Sequence, residues 1–306
     1  MALDAEGLIE RRRLRRRLRL WRVAAVVLAV AACAAAVYAW DPDGTWLERP
    51  HVARITVNGV IAENRRLDEA LADVRDDPKA RALILRIDSP GGSTYGGEAL
   101  YRQLRRVSEK KPVVAVIGTL GASAGYLAAV AADRIYAGDT SLTGSIGVII
   151  QSAEVSGLLD KIGVTAETVK AGALKDQPSL IRPLDAAGRQ ALQTLVDETH
   201  RWFIDRVAER RALPRDRVVE LADGRVYNGT RAAEFKLVDE IGAEPEARAW
   251  LASAKNVARS LPVYDYDYNG KRGVLTESAL ALIGKSLIPE RLTLDGLVSV
   301  WQPRTD

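Results

Sequence analysis

Ser123 lies between glycines in Gly121-Ala122-Ser123-Ala124-Gly125, and Pro90-Gly91-Gly92 stands about thirty residues before it. A serine in that setting can act as a nucleophile, because the glycines let the chain turn sharply and let a substrate backbone approach. Such a serine needs a base, and histidine is the usual one. The chain has only His51 and His200 among its 306 residues, which makes lysine the leading candidate. The thirty-four arginines cannot serve, because a guanidinium stays protonated. Ten lysines remain. One that works near neutral pH must have its pKa lowered by about 3 units, which costs about 4 kcal/mol and demands a site poor in water.

Three lysines come into question. Lys161 falls on an expected solvent face, and Lys170 and Lys175 bracket the small-residue loop Lys-Ala-Gly-Ala-Leu-Lys. The residues alone do not choose among them. Leu142-Thr143-Gly144-Ser145-Ile146-Gly147 adds a hydroxyl, Ser145, that could accept from a lysine amine and orient it. Asp88-Ser89-Pro90-Gly91-Gly92 follows a buried-strand pattern, so a backbone N–H there can face the crevice at the strand ends of an open α/β sheet. With the N–H of Ala124 it would form a two-donor oxyanion hole, and each such donor is worth about 3 kcal/mol in the transition state. Taken one at a time, these segments also fit an ordinary strand–helix turn with an N-capping serine, a plain Pro-Gly turn and solvated lysines.

The elements that must position these residues alternate. Val52–Ile61, Arg81–Asp88, Pro112–Ile117, Arg134–Ala137 and Gly147–Ile150 read as strands, several of them nearly continuous apolar runs of the kind found in buried parallel sheets. Leu67–Val74, Gly97–Val107, Ala124–Ala132, Val155–Ile162 and the long Asp185–Arg211 segment read as helices, and Thr165–Val169 as extended. The alternation predicts an α/β domain with a mainly parallel sheet flanked by helices over residues 51–245. Residues 246–306 read as a C-terminal extension that packs on another subunit or near a membrane, with an amphipathic pattern recovering over 274–301.

The N-terminus has a different character. Residues 1–22 carry eight arginines and a net charge of +5, whereas the remainder has a net charge of −1. The basic pI therefore comes from one block and does not argue for nucleic acid. Val23–Ala39 is seventeen residues without a charge, flanked by Trp21 and Trp40. As a helix it spans about 26 Å, close to a bilayer core. A cytoplasmic basic segment (1–22), a transmembrane signal-anchor (23–40) and a linker (41–50) follow, with the N-terminus inside and the domain outside. Cleavage after Val37-Tyr38-Ala39 and a lipoprotein box at Val30-Ala31-Ala32-Cys33 are the competing readings, and Cys33, the only cysteine, rules out an internal disulfide.

Together, Asp88–Gly92, Gly121–Tyr126 with Ala131–Arg134, Leu142–Val148, Lys170–Asp176, and Ala222–Tyr227 with Leu237–Gly242 resemble the signal peptide peptidase A (SppA) family of Ser-Lys membrane proteases in its short single-domain form. The resemblance covers about residues 52–245, in order. It implies a Clp-protease/crotonase-like fold. It also implies Ser123 as nucleophile, Lys175 as general base, Ser145 as the serine that orients the lysine, and Gly92 and Ala124 as backbone donors of the oxyanion hole. It further implies a ring- or dome-shaped homo-oligomer (an octamer is one form), with the serine and lysine of one site from adjacent subunits, and remnant signal peptides as substrates. The setting it implies is the outer face of the bacterial cytoplasmic membrane. One departure is visible: Ala124 stands where many relatives have glycine.

No cofactor or metal is expected, since the sequence has no HExxH, Cys/His cluster or Walker-type loop. Other classes remain in view. An α/β-hydrolase-type esterase would pair Ser123 with His200, although His200 falls mid-helix where the hydrolase histidine belongs on a loop. A crotonase-type acyl-CoA enzyme would share the fold, and a non-catalytic membrane scaffold would keep the fold alone.

Overall fold

The structure, a computed structural model, describes residues 17–18, 20–29, 31–32 and 49–268, together with the backbone of 298–300. Residues 1–50 and 51–306 form two units. In the first, the described residues 17–18, 20–29 and 31–32 are helical. Among the described residues no helix is long and apolar enough to cross a membrane. Much of the expected 23–40 anchor, Cys33 included, lies outside them.

The second unit is a mixed α/β domain. Its strands are β1 (His51–Asn58), β2 (Ala80–Ser89), β3 (Gly91–Ser93), β4 (Val113–Ala122), β5 (Arg134–Ala137), β6 (Leu142–Gly144), β7 (Val226–Asn228), β8 (Glu240–Ile241), β9 (Val263–Asp265) and β10 (Val298–Val300). An eight-stranded sheet runs in the order β7-β6-β4-β2-β1-β9, with β5 pairing β4 and β8. Every pairing in it is parallel except β6 with β7. Strands β2 and β4 are buried on both faces, which explains their continuous apolar runs Ala82–Leu85 and Val113–Ile117.

The helices are α1 (Arg65–Asp76), α2 (Thr94–Ser108), α3 (Ala124–Val130), α4 (Ser156–Lys161), α5 (Ala186–Arg211), α6 (Arg215–Leu221), α7 (Gly229–Glu234) and α8 (Glu244–Lys255). Their starts follow the capping chemistry of the sequence. The Asn64 side chain accepts from the N–H groups of Arg66 and Leu67, Ser93 accepts from Gly96, and Asp185 accepts from Gly188. Leu67, Leu71 and Val74 bury the inner stripe of α1. One face of the sheet packs with α1, α2, α3 and α5 into the main core, through Ile55, Leu83, Leu85, Leu104, Leu127 and Val207 among others. The opposite face carries α8, whose Ala247 and Leu251 cover Ile84 and Val114.

Two expectations need correction. Gly147–Ile150 is not a strand; the sheet takes up β6, which begins five residues earlier, because Leu142–Gly144 is the stretch that reaches Leu120–Ala122 of β4. The domain also does not end at residue 245. Helix α8 seals one face of the sheet, and β9 extends it beside β1 with Val52 opposite Val263. The expected amphipathic segment 274–301 lies outside the described residues apart from the backbone of β10.

Candidate active site

Ser123 sits where β4 ends and α3 begins. Its backbone has φ 54° and ψ −119°, a conformation that an L-residue adopts only under constraint. Three contacts supply the constraint. The Ser123 N–H donates to Gly144 O (2.8 Å), the Leu127 N–H donates to Ser123 O (2.9 Å), and a Cβ at Gly125 would come within 2.9 Å of Ser89 O. The turn is therefore wedged between β2 and β6, and the serine is fully buried in the single chain. A strained strand-to-helix elbow of this kind presents a nucleophile ahead of the first helical N–H groups. Helix α3 is pinned in turn. The buried Tyr126 hydroxyl donates to Leu237 O (2.8 Å), and Arg105 and Arg210 donate to the carbonyls of Ala131, Val130 and Ala132 at its far end. Cations on the last carbonyls of a helix favour its dipole as well.

Register brings Ser145 beside Ser123. In the β4–β6 pair, Gly121 stands opposite Thr143 and Ala122 opposite Gly144, so the next residue on each strand is one of the two serines. Ser145 also has positive φ (49°) and is held by its N–H, which donates to Arg225 O (2.8 Å). The Thr143 hydroxyl donates to Gly121 O (2.7 Å) and locks the two strands at that level. Sequence reasoning passed over Thr143, and nothing in a Leu-Thr-Gly-Ser stretch separates it from a turn threonine.

The Gly91-Gly92 segment completes this wall. Gly91 has φ 113°, a region open to glycine, and its N–H donates to the buried Ser89 hydroxyl (3.1 Å). A Cβ on Gly92 would fall 1.7 Å from Ile61 O, so no side chain fits there. Ala124, the departure from glycine, is accommodated by Gly97 of α2: its methyl stands where a Cβ on Gly97 would come within 2.9 Å. Beside Ala124 opens a cavity of about 320 Å³ with Leu127, Tyr95, Trp202, Phe203 and Val148 on its walls, large enough for one bulky apolar side chain.

The candidate bases fare differently. Lys170 Nζ donates to Ala173 O (2.7 Å) and is paired with Asp176, which also pairs with Arg182. That bonding holds the Asp176 carboxyl below the usual carboxylate range, with the Lys170 hydrogen bond the main cause. Lys175 is exposed, and its side chain makes no hydrogen bond or ion pair among the described residues. It lies on an arm, residues 146–185, whose only helix is the short α4. Lys161 closes that helix and is exposed. Within one chain, then, Ser123, Ser145, Gly92 and Ala124 are gathered by the sheet and Lys175 is not. His200 sits within α5, and its buried Nε2 reaches no hydrogen-bond partner, Ser123 included. The Ser123–His200 pair expected of an esterase does not form. Among the described residues no group of His, Cys, Asp and Glu side chains could hold a metal ion.

Residues 105–258 match Peptidase family S49. A putative protease of Synechocystis is 40% identical over 207 residues, covering 67% of this chain and 74% of the relative. A putative signal peptide peptidase SppA of Enterococcus faecium is 32% identical over 72% of this chain and 68% of its own length. A chloroplastic serine protease SPPA of Arabidopsis thaliana is 33% identical over 79% of this chain, which spans about a third of that longer protein. A strained serine at the end of a parallel strand, glycines that admit a peptide backbone, and relatives of this kind lead to one assignment: the chain belongs to peptidase family S49, as a serine peptidase of the SppA family.

Proposed function

We propose that this peptidase is a membrane-anchored endopeptidase that uses a Ser123–Lys175 dyad to degrade remnant signal peptides. The observation that carries the dyad is the contrast just described. Ser123 is buried, strained and aligned with Ser145, whereas Lys175 waits exposed and unpaired on an arm rich in exposed apolar residues, among them Leu158, Ile162, Val164 and Val169. An arm of that composition suits a second copy of the chain. Burying it would dry the surroundings of Lys175, which is what an uncharged amine requires. We therefore assign the serine and the lysine of each site to adjacent subunits of a homo-oligomer on the membrane surface. The uncharged Val23–Ala39 segment behind its arginine block supplies the anchor, and the catalytic domain faces outward.

In this scheme the neutral Lys175 amine takes the Ser123 hydroxyl proton as Oγ attacks the peptide carbonyl. The N–H groups of Gly92 and Ala124 stabilise the tetrahedral oxyanion. The C–N bond breaks, the proton passes to the leaving amine, and an acyl-enzyme remains. Water, deprotonated by the same lysine, then attacks the ester and frees Ser123. Ser145 accepts a hydrogen bond from the lysine and holds its lone pair toward the serine. The name of the Enterococcus faecium relative and the apolar cavity beside Ala124 both favour signal-peptide fragments as substrate.

The test uses a fluorophosphonate probe and a quenched peptide substrate. Wild type should be labelled at Ser123 and should cleave the peptide. Ser123→Ala should lose both, and Lys175→Ala should lose cleavage while keeping its melting temperature. Cleavage that survives in purified Lys175→Ala would refute the dyad.

A further inference from the structure

The cavity beside Ala124 is apolar within and acidic at its rim. Ala124, Leu127 and Phe203 are buried and line its inner end, whereas Tyr95, Glu98 and Glu198 line it from more exposed positions. The cavity adjoins both proposed oxyanion donors: Ala124 is one, and Tyr95 follows the other, Gly92, by three residues. A peptide whose carbonyl oxygen lies between those two N–H groups has the side chain on the acyl side of the cut within reach of it. The two carboxylates differ in what they already hold. Glu98 is paired with Arg102 on the same helix. Glu198 has no hydrogen-bond or ion-pair partner among the described residues. It stands four residues before Trp202 on α5, so the two project from one face of the helix. Trp202 meets the Tyr101 ring nearly at right angles, with centroids 6.2 Å apart, and that contact fixes its indole. An unpaired carboxylate and a fixed indole on one face both attract a cation.

We propose that this cavity takes a Lys or Arg side chain of the substrate, on the acyl side of the scissile bond, with Glu198 as the residue that sets the preference. The carbon stem lies along Leu127 and Phe203, and the charged head reaches Glu198 at the wetter outer end. Long basic side chains generally bury carbon and keep charge near water in this way. Glu98, already paired with Arg102, adds to the negative rim. Leucine or phenylalanine would fill the same space without meeting the carboxylate, and an acidic side chain would be repelled by it. The inference deepens the proposed function and rests on its oxyanion-hole assignment. Signal peptides carry Lys and Arg ahead of their apolar core, so cuts of this preference fall at the basic end of a remnant.

The experiment uses the full-length protein and quenched peptides that differ only in the residue before the cut. That residue is lysine, norleucine (the same carbon stem without the charge) or glutamate. In wild type, kcat/KM for the lysine peptide should exceed that for the norleucine peptide by about fivefold, the upper range for a partly exposed ion pair. In Glu198→Gln the ratio should fall to about one, and in Glu198→Lys the glutamate peptide should overtake the lysine peptide. Melting temperatures check that each variant is folded. A wild-type ratio near one, or a lysine preference that survives in Glu198→Gln, overturns the inference. Where wild type cleaves none of the peptides, their binding to Ser123→Ala and to Ser123→Ala with Glu198→Gln decides. Tighter binding of the lysine peptide in the first protein alone keeps the basic-side-chain pocket while the peptidase mechanism falls. Equal binding of the lysine and norleucine peptides to both proteins removes the pocket as well.

Discussion

The serine half of the site and the lysine arm are built on opposite principles. Ser123, Ser145, Gly92 and Ala124 sit at the carboxyl ends of neighbouring strands, and each is fixed by backbone hydrogen bonds or by contacts that leave no room for a Cβ. The arm over residues 146–185 has one short helix, and most of its apolar side chains face outward. The difference follows from what each part must do. A nucleophile next to an oxyanion hole has to be held to a fraction of an ångström, and a parallel sheet does that within one chain. A lysine that is to be neutral needs water removed from around it, and a thin exposed segment cannot remove water by itself. The serine half is held within one chain; in the proposed mechanism the lysine arm needs a second copy of the chain to cover it.

The rigidity of the serine half is the easier part to break. Gly92→Ala places a methyl 1.7 Å from Ile61 O, so either β3 shifts or the Gly92 amide turns away. Losing that donor alone should lower kcat by about 100-fold or more. Steady-state kinetics beside a thermal melt would measure it, and a variant with wild-type kcat and an unchanged melt would mean that the Gly92 wall is softer than its packing implies.

The proposed division of labour between chains can be probed by mixing. Ser123→Ala and Lys175→Ala proteins are each expected to be inactive. Co-refolded at equal amounts, they should regain about a quarter of wild-type activity, since random assembly puts an intact serine beside an intact lysine in about one site of four. A mixture that stays inactive while forming the native oligomer would place both residues of each dyad in one chain.

A smaller effect concerns Gly97, which makes room for Ala124. In Gly97→Ala two methyl groups would stand 2.9 Å apart, and such overpacking costs about 1–3 kcal/mol. Chemical denaturation should show that loss, and Ala124→Gly in the same chain should restore it. Absence of rescue would separate the packing of α2 on α3 from the serine turn.

Much of the rigid half was legible in the sequence, and little of the arm. Ala82–Leu85 and Val113–Ile117 could be read as central parallel strands because both faces of each are buried, and no other setting favours such unbroken apolar runs. The same reasoning failed at Gly147–Ile150, where apolar residues line cavities beside α5 instead of joining the sheet. Strands β7 and β9 were invisible because three residues are too few to show a period. The positive φ of Ser145 depends on Arg225 O, eighty residues away, and no local pattern announces it. The choice between Lys170 and Lys175 was likewise closed to local reasoning. The family resemblance makes that choice, and the pairing of Lys170 with Asp176 is a feature of three-dimensional placement that no local pattern shows.

That Asp176 pairing gives the finest distinction between the two halves. The Lys170 hydrogen bond holds the Asp176 carboxyl below the ordinary carboxylate range, with Arg182 adding to the effect. A carboxyl whose pKa is lower in the folded arm than in the unfolded chain contributes its full share above the ordinary value of about 4, and loses it as pH falls through the lowered one. Acidification from pH 6 toward 3 should therefore loosen the residues around Lys175. Asp265 in the sheet is lowered in the same direction by Arg54, so its loss is felt by the domain instead. Hydrogen exchange, corrected for the intrinsic chemical rate, should show residues 165–180 losing protection on acidification, with Asp176→Asn abolishing that pH dependence and leaving the exchange of β4 as it was. If β4 and the arm lose protection together in both proteins, the arm is no separate element, and the contrast between a rigid serine half and a movable lysine half fails.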